Sequence, residues 1–350
     1  MPASFSFVQA APASGPYKIV QTAQFMGTGR IDYVHVDSEG RRIYVPRGGE
    51  ILVFDLDTLK PAGSIPGLMG GHEVAIDGKT NHGFSSSKPV IMWDAKTLAT
   101  IKTIDVQGGP DGILLEPATD RIYVFSHSQP NATVIDSKDG SIVGTMDLGG
   151  SPEQATSDGQ GHLYVDLEDK DAIAVVDTKT LKVTATYSLG GKGGGPGGLG
   201  LDAKNHILFA FCHEPATAVI LSATDGKILD TLPIGNGTDG GGFNPKTMEA
   251  FSSQRDGTLT IIKEKSPISF EVEQTVQTMP RAKTCSLDTK TNRIVLIATE
   301  APPAPSPATN APPAAPQTAS TNAPPSPGDP GGRRRGGGGP AMLHILVVGR

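Results

Sequence analysis

The chain has 350 residues, 44 of them Gly and 29 Pro, about a fifth of the sequence against a usual share of about 12%. With 37% hydrophobic and 19% charged residues and no leucine-rich helical stretch, it is neither a coiled coil nor a helical bundle, and no apolar run approaches the ~18 residues of a membrane helix. A formal net charge of −6 argues for solubility and against a general nucleic-acid binder.

At the N-terminus, Phe5-Ser6-Phe7-Val8 precedes Ala11-Pro12-Ala13, an A-x-A-like cleavage pattern. Residues 1–16 read as the remnant of an export signal or as a disordered terminus. A β-rich run, Tyr17–Phe25, follows with no partner nearby in sequence. From there an acidic or related residue recurs at Asp37, Asp77, Glu116, Asp158, Asp202, Asn244 and Asp288, in steps of 39 to 44. Each follows a short apolar segment such as Tyr33-Val34-His35-Val36 or Ile113-Leu114-Leu115. Each precedes a second run (Ile43-Tyr44-Val45, Ile122-Tyr123-Val124, Leu163-Tyr164-Val165) and a third ending in Asp (Val53-Phe54-Asp55, Met92-Trp93-Asp94, Val134-Ile135-Asp136, Val175-Val176-Asp177). A fourth run ends in Gly, as in Thr145 to Gly149.

Four short strands per period, separated by turn residues, are the pattern of a propeller blade. Seven anchors predict an all-β, seven-bladed β-propeller. Residues 281–350 supply only three strands of the last blade, Cys285–Asp288, Arg293–Ala298 and His344–Val348, so Tyr17–Phe25 is predicted to close that blade and remove its open edge. Cys212 and Cys285 fall two blades apart and are expected as free, buried thiols. The glycine run at residues 190–198 lacks the spacing and following helix of a phosphate loop and reads as an inter-blade link. Residues 301–340 hold 12 of the 29 prolines and Arg333-Arg334-Arg335. This composition cannot bury a core and reads as a disordered insertion within a single domain spanning 17–350.

The pairs Ile122-Tyr123-Val124 with Val134-Ile135-Asp136, and Leu163-Tyr164-Val165 with Ala174-Val175-Val176-Asp177-Thr178-Lys179-Thr180-Leu181, resemble YVTN-repeat β-propellers, the YncE-like group. That group falls within the wider quinoprotein amine dehydrogenase-like and WD40-like propellers. The likeness runs from about residue 17 to 350. Blades 5 and 6 depart from it, with Ser222 and Lys263 near the usual Asp. The resemblance implies export, to the periplasm or outside the cell, and brings no shared catalytic signature.

Five residues before each anchor, the chain enters the innermost strand at the channel mouth. Those positions read Asp32, His72, Asp111, Glu153, Gly197, Asp239 and Lys283. Carboxylates from several blades repel unless a cation or Lys283 intervenes. Oxygen ligands at Asp32, Asp111, Glu153 and Asp239 would suit Ca²⁺ or Mg²⁺. The links between second and third strands add Arg47, Lys88, His127, Glu168, His213, Arg255 and Glu300 on the same face. His82, His162 and His206 lie in turns on the opposite face. Trp93 is expected between blades, and His35, within an inner strand, either as a hydrogen-bonded core histidine or lining the channel.

With no Ser/His/Asp triad and no CxxC motif, the sequence reads as an exported, monomeric, non-catalytic binding or scaffold protein. Its acidic mouth would meet a small ligand, a cation or a protein partner. One alternative is a metal-dependent hydrolase or lyase of lactone-like substrates with His72 or His127 moving a proton, an architectural likeness to propeller lactonases of the gluconolactonase type. Another is a cell-surface interaction module.

Overall fold

The computed structural model describes residues 15–300 and 339–350. Residues 1–14 and 301–338, and with them the export-signal and insertion readings, lie outside the described residues. Seven four-stranded antiparallel sheets follow one another along the chain. Blade 1 comprises His35–Asp37, Arg42–Arg47, Glu50–Asp55 and Pro61–Pro66, innermost strand first. Blade 7 comprises Thr284–Asp288, Arg293–Glu300 and Ala341–Gly349, completed on its outer edge by Lys18–Gly27. That strand pairs antiparallel with Ala341–Gly349, Lys18 opposite Gly349 and Gly27 opposite Ala341. The expected closure by the N-terminal strand is therefore the observed topology. Among the described residues, no helix is long and apolar enough to cross a membrane.

The recurring acids are turn caps. Asp77 accepts the amides of Lys79 and Thr80's hydroxyl, and Glu116 those of Ala118 and Thr119. The acid ending the third strand does the same work: the Thr58, Thr97 and Thr180 amides donate to Asp55, Asp94 and Asp177 at 2.7 to 2.8 Å. An acceptor two or three residues ahead of a free N–H closes the turn locally. Blade 5 substitutes the Ser222 hydroxyl, which accepts from Thr224 at 3.3 Å. Blade 6 dispenses with the Asp turn and prolongs the hairpin instead, over Thr258–Ser266 and Ser269–Gln277. Both departures preserve a regular blade.

The hydrophobic core lies between blades, not at the axis. Seven buried clusters each join one pair of neighbours. Side chains alternate across a strand, so in Arg293–Glu300 the residues Val295 and Ile297 face blade 1 while Ile294, Leu296 and Ala298 face blade 6. This is why the second and third strands read as unbroken apolar runs: both faces are covered. Only outer strands alternate, as in Lys182–Ser188. The second-strand tyrosines reach across the same interface, with Tyr164 Oη donating to the Ala223 carbonyl at 3.2 Å.

Trp93 occupies the expected inter-blade position, fully buried between blades 1 and 2. Its ring centroid lies 6.0 Å from that of Tyr44, over Gly83, where an added Cβ would stand 2.2 Å from the indole. Cys212 and Cys285 are free and buried. Trp93→Ala should cost about 3–5 kcal/mol by leaving a cavity. Gly83→Ala, which crowds the same indole, should cost about 1–3 kcal/mol. Urea unfolding of both variants checks this, and equal or greater stability than the parent would contradict the packing described.

Candidate functional site

The predicted ring positions converge at one channel mouth and pair around it. Lys283 Nζ donates to Asp32 Oδ1 at 2.9 Å and also contacts Asp239. His72 Nδ1 lies 2.7 Å from Asp32 Oδ2 and 3.2 Å from Asp111 Oδ1. His127 Nε2 lies 3.4 Å from Asp111 Oδ2 and 3.0 Å from Glu153 Oε2. Read around the mouth, the order is Asp239, Lys283, Asp32, His72, Asp111, His127, Glu153, with acids and bases interleaved. Lys283, expected as one counter-charge, lies between Asp32 and Asp239, and His72 and His127 separate the remaining carboxylates.

Blade 5 contributes no charged ring residue because Gly197 stands there. His213, from the same blade, fills the space: a Cβ on Gly197 would meet its Nε2 at 2.7 Å, and that nitrogen lies 4.0 Å from Asp239. Of the other loop residues, Glu168 opens a short 3₁₀ turn, Glu168–Lys170, and contributes charge near His127. Four do not join the ring. Arg47 is buried, donating to the Ala341 carbonyl at 2.7 Å and so tying blade 1 to the closing blade. Lys88 donates outward to the Gly108 carbonyl at 2.9 Å. Glu300 faces His344 at 3.3 Å. Arg255 instead borders a hollow of about 470 Å3 beside the mouth, shared with Arg30, Arg281, Lys283 and Asp32.

Beneath the ring lies a second tier that sequence reasoning missed. Its members each follow a ring residue by one position: Tyr33, Glu73 and Gln154. Tyr33, almost wholly buried, crosses from blade 1 to donate its hydroxyl to Glu153 Oε1 at 2.7 Å. Glu73 Oε2 accepts the Ile113 amide at 2.9 Å. Gln154 Oε1 accepts the amides of Leu199 and Gly241 at 2.8 and 3.0 Å, and its Nε2 donates to the Gly241 carbonyl at 3.1 Å. On blades 3, 5 and 6 the equivalent position is Gly112, Gly198 or Gly240. Between blades 5 and 6 the inner strands touch, a Cβ on Gly198 lying 2.9 Å from the Gly240 carbonyl carbon. The signal was present as a period-spaced pattern of three large polar residues and three glycines. Below this tier a cavity of about 250 Å3 is lined by His35, Glu73 and Gln154 with apolar residues of blades 2 to 4. His35 therefore lines the channel rather than sitting hydrogen-bonded in the core, and burial pushes its imidazole down to about 4.

Charge at the mouth follows from these contacts. Burial alone would raise Asp32, but the His72 hydrogen bond and Lys283 outweigh it and hold the carboxyl below its ordinary value. The Asp32 hydrogen bond raises His72, and the Glu153 hydrogen bond raises His127 to about 9. Burial raises Asp111 despite its two histidines. Glu73 is pushed up to about 8, chiefly by burial and with added repulsion from Asp111, Asp32 and Glu153. The opposite-face histidines stay apart from all this, His82 on the Ser137 carbonyl at 2.9 Å and His162 on Asp158 at 2.8 Å. The glycine run is an inter-blade link, anchored by the Gly195 amide on Asp171 at 2.9 Å.

No family model matches the chain, and no curated protein matches it. Solved structures do. A structure of the mitotic checkpoint complex aligns with a TM-score of 0.69 at 10% identity, covering 85% of this chain and 92% of that one. Structures of U3-55K and of the RRP9 WD40 repeats each align with a TM-score of 0.66 at 11% identity, over 82% of this chain and 92% and 91% of theirs. The chain has the seven-bladed propeller fold of WD40-repeat structures. At such identity the likeness concerns fold alone.

The pH dependence of stability tests the electrostatics. For Glu73 the folded value of about 8 exceeds the ordinary 4.5, so its neutral form favours folding below about 4.5 and that advantage is lost as pH rises through 8. Glu73→Gln keeps an acceptor for the Ile113 amide. It should stabilise the protein at pH 9 by roughly 1 kcal/mol or more and change little at pH 5. His127 has the same sign: its folded value of about 9 lies above 6.5, so His127→Gln should destabilise at pH 6 and lose its effect by pH 10. Chemical unfolding across pH, with a chelator present, reads both. Flat profiles for either pair would contradict the ring.

Proposed function

We propose that this chain is an exported, non-catalytic binding propeller of the YVTN-repeat type, presenting its channel-mouth face to a small ligand or a protein partner. One observation carries the reading: the mouth side chains are engaged with one another. Asp32, Asp111, Glu153 and Asp239 each meet Lys283, His72, His127, His213 or Tyr33, so the mouth carboxylates are already partnered and held in place by the protein itself. A rigid, pre-paired face set on seven packed blades suits recognition. The YVTN assignment draws support from the shared strand positions of Tyr44, Tyr123 and Tyr164 and from the Asp-turn after the third strand. Export rests on the Ala11-Pro12-Ala13 pattern. A scaffold role is in keeping with a fold neighbour drawn from a multi-protein complex. Purified protein should turn over none of a panel of lactones, with or without Ca²⁺, Mg²⁺, Mn²⁺ or Zn²⁺; metal-dependent turnover would overturn the reading.

A second reading is favoured by one geometric fact. Asp32, His72 and Asp111, and likewise Asp111, His127 and Glu153, bring their ligand atoms within 4.8 Å of one another. Asp239, held by Lys283, belongs to neither set. Mixed imidazole and carboxylate donors suit Zn²⁺ or Mn²⁺ better than the Ca²⁺ or Mg²⁺ expected from carboxylates alone, with Asp111 common to both triads. A hydrolase or lyase would then use such a centre, and the histidines would be ligands rather than proton carriers. Calorimetry should show Zn²⁺ or Mn²⁺ bound by the parent and lost in Asp111→Asn. Absence of binding by the parent removes this reading.

A further inference from the structure

We propose that the hollow beside the mouth is a binding site for a compact polyanion, a small molecule carrying clustered carboxylates or phosphoryl groups. The proposal rests on the reading that this face binds a ligand and names that ligand's chemistry.

Four cations line the hollow, Arg30, Arg255, Arg281 and Lys283, against one carboxylate, Asp32. This is a local inversion in a chain of net charge −6. The cations arrive from separate segments: the link into blade 1, the turn after Glu249–Gln254 of blade 6, and the link from blade 6 to blade 7. Lys283 is paired with Asp32 and Asp239. Among the described residues, no carboxylate lies within ion-pair range of Arg30, Arg255 or Arg281. Elsewhere Arg41 and Arg350 each bridge two acids, and Arg42, Arg47 and Arg121 donate to backbone carbonyls. The undescribed segments contain a single acidic side chain, Asp329, too few to neutralise three guanidinium groups.

Convergent like charges without counter-charge destabilise a fold, so their retention asks for a partner. Guanidinium forks match carboxylate and phosphate oxygens two at a time. A volume of about 470 Å3 falls in the small-molecule range, and the floor offers Ile31, Ile297 and the Thr299 hydroxyl. The backbone fixes where one of these cations stands. Arg281 has φ of +72°, a conformation that residues with side chains disfavour, and its amide donates to the Arg255 carbonyl at 2.8 Å. Glycine would fill that position without strain, yet the chain places there a guanidinium directed to the hollow.

The test uses the full chain, with pyrophosphate and citrate as probes in calorimetry at low and high salt. We expect one-to-one binding of at least one probe, weakened by added salt and weakened at least tenfold in Arg255→Ala and in Arg281→Gly. Which probe binds tells phosphoryl from carboxylate recognition. Arg281→Gly should also melt no lower than the parent without anion, since it relieves both strain and repulsion. Binding of neither probe, or equal binding by parent and variants, overturns the proposal. Arginine-dependent binding accompanied by lactone turnover would leave this site standing and remove the non-catalytic reading.

Discussion

The antiparallel pairing of Lys18–Gly27 with Ala341–Gly349 is the contact on which the rest depends. Every blade buries its two faces against its neighbours, so each needs a neighbour on both sides. A linear stack would leave two apolar faces and one unpaired strand edge exposed. Drawing the outer strand of the last blade from the start of the chain joins first and last repeats in one sheet. The closure is reinforced at its ends. Arg350 contacts Glu249 and stacks over Tyr17, 4.9 Å from the ring centroid, while Tyr17 reaches Glu249 in blade 6. At the other end, Arg47 of blade 1 holds the Ala341 carbonyl.

Closure also fixes the channel mouth. Seven innermost strands can set side chains at one level only if the ring is complete, and adjacent members come from blades far apart in sequence. Lys283 and Asp32, from the last and first blades, are 251 residues apart. The mouth that results is polarised. On blades 1 to 4, histidines alternate with carboxylates over the Tyr33, Glu73 and Gln154 tier. On the side of blades 6, 7 and 1, arginines with no ion-pair partner among the described residues border a hollow. Small differences in the repeat, a glycine in one blade and a glutamine in another, convert a near-symmetric scaffold into an asymmetric face.

Much of this was legible in the sequence because the period carries it. The anchor acids, the missing strand and the ring positions all follow from counting, since a turn cap must recur wherever the turn recurs. What resisted was anything decided between blades. The burial of Arg47, the outward turn of Lys88 and the filling of Gly197's space by His213 depend on neighbours remote in sequence. The histidine placements decided the mouth's charge: His72 reads as a ring member and His72 or His127 as a proton carrier, whereas in space both stand between carboxylates. Tyr33, Glu73 and Gln154 escaped notice because each belongs to a strand that looks otherwise apolar or unremarked. Aligning the residue after each ring position would have exposed them.

The central claim is that ring closure and mouth geometry are one cooperative structure. Native-state hydrogen exchange tests it directly, by following the amides of Lys18–Gly27 together with those of Ile113, Leu199 and Gly241, which donate to the side chains of Glu73 and Gln154. The amides of Lys18–Gly27 that pair with Ala341–Gly349 and the mouth amides should both exchange only through global opening, with the same free energy and the same dependence on denaturant. Exchange of the closing strand through a low-energy local opening, while the mouth amides stay protected, would contradict it.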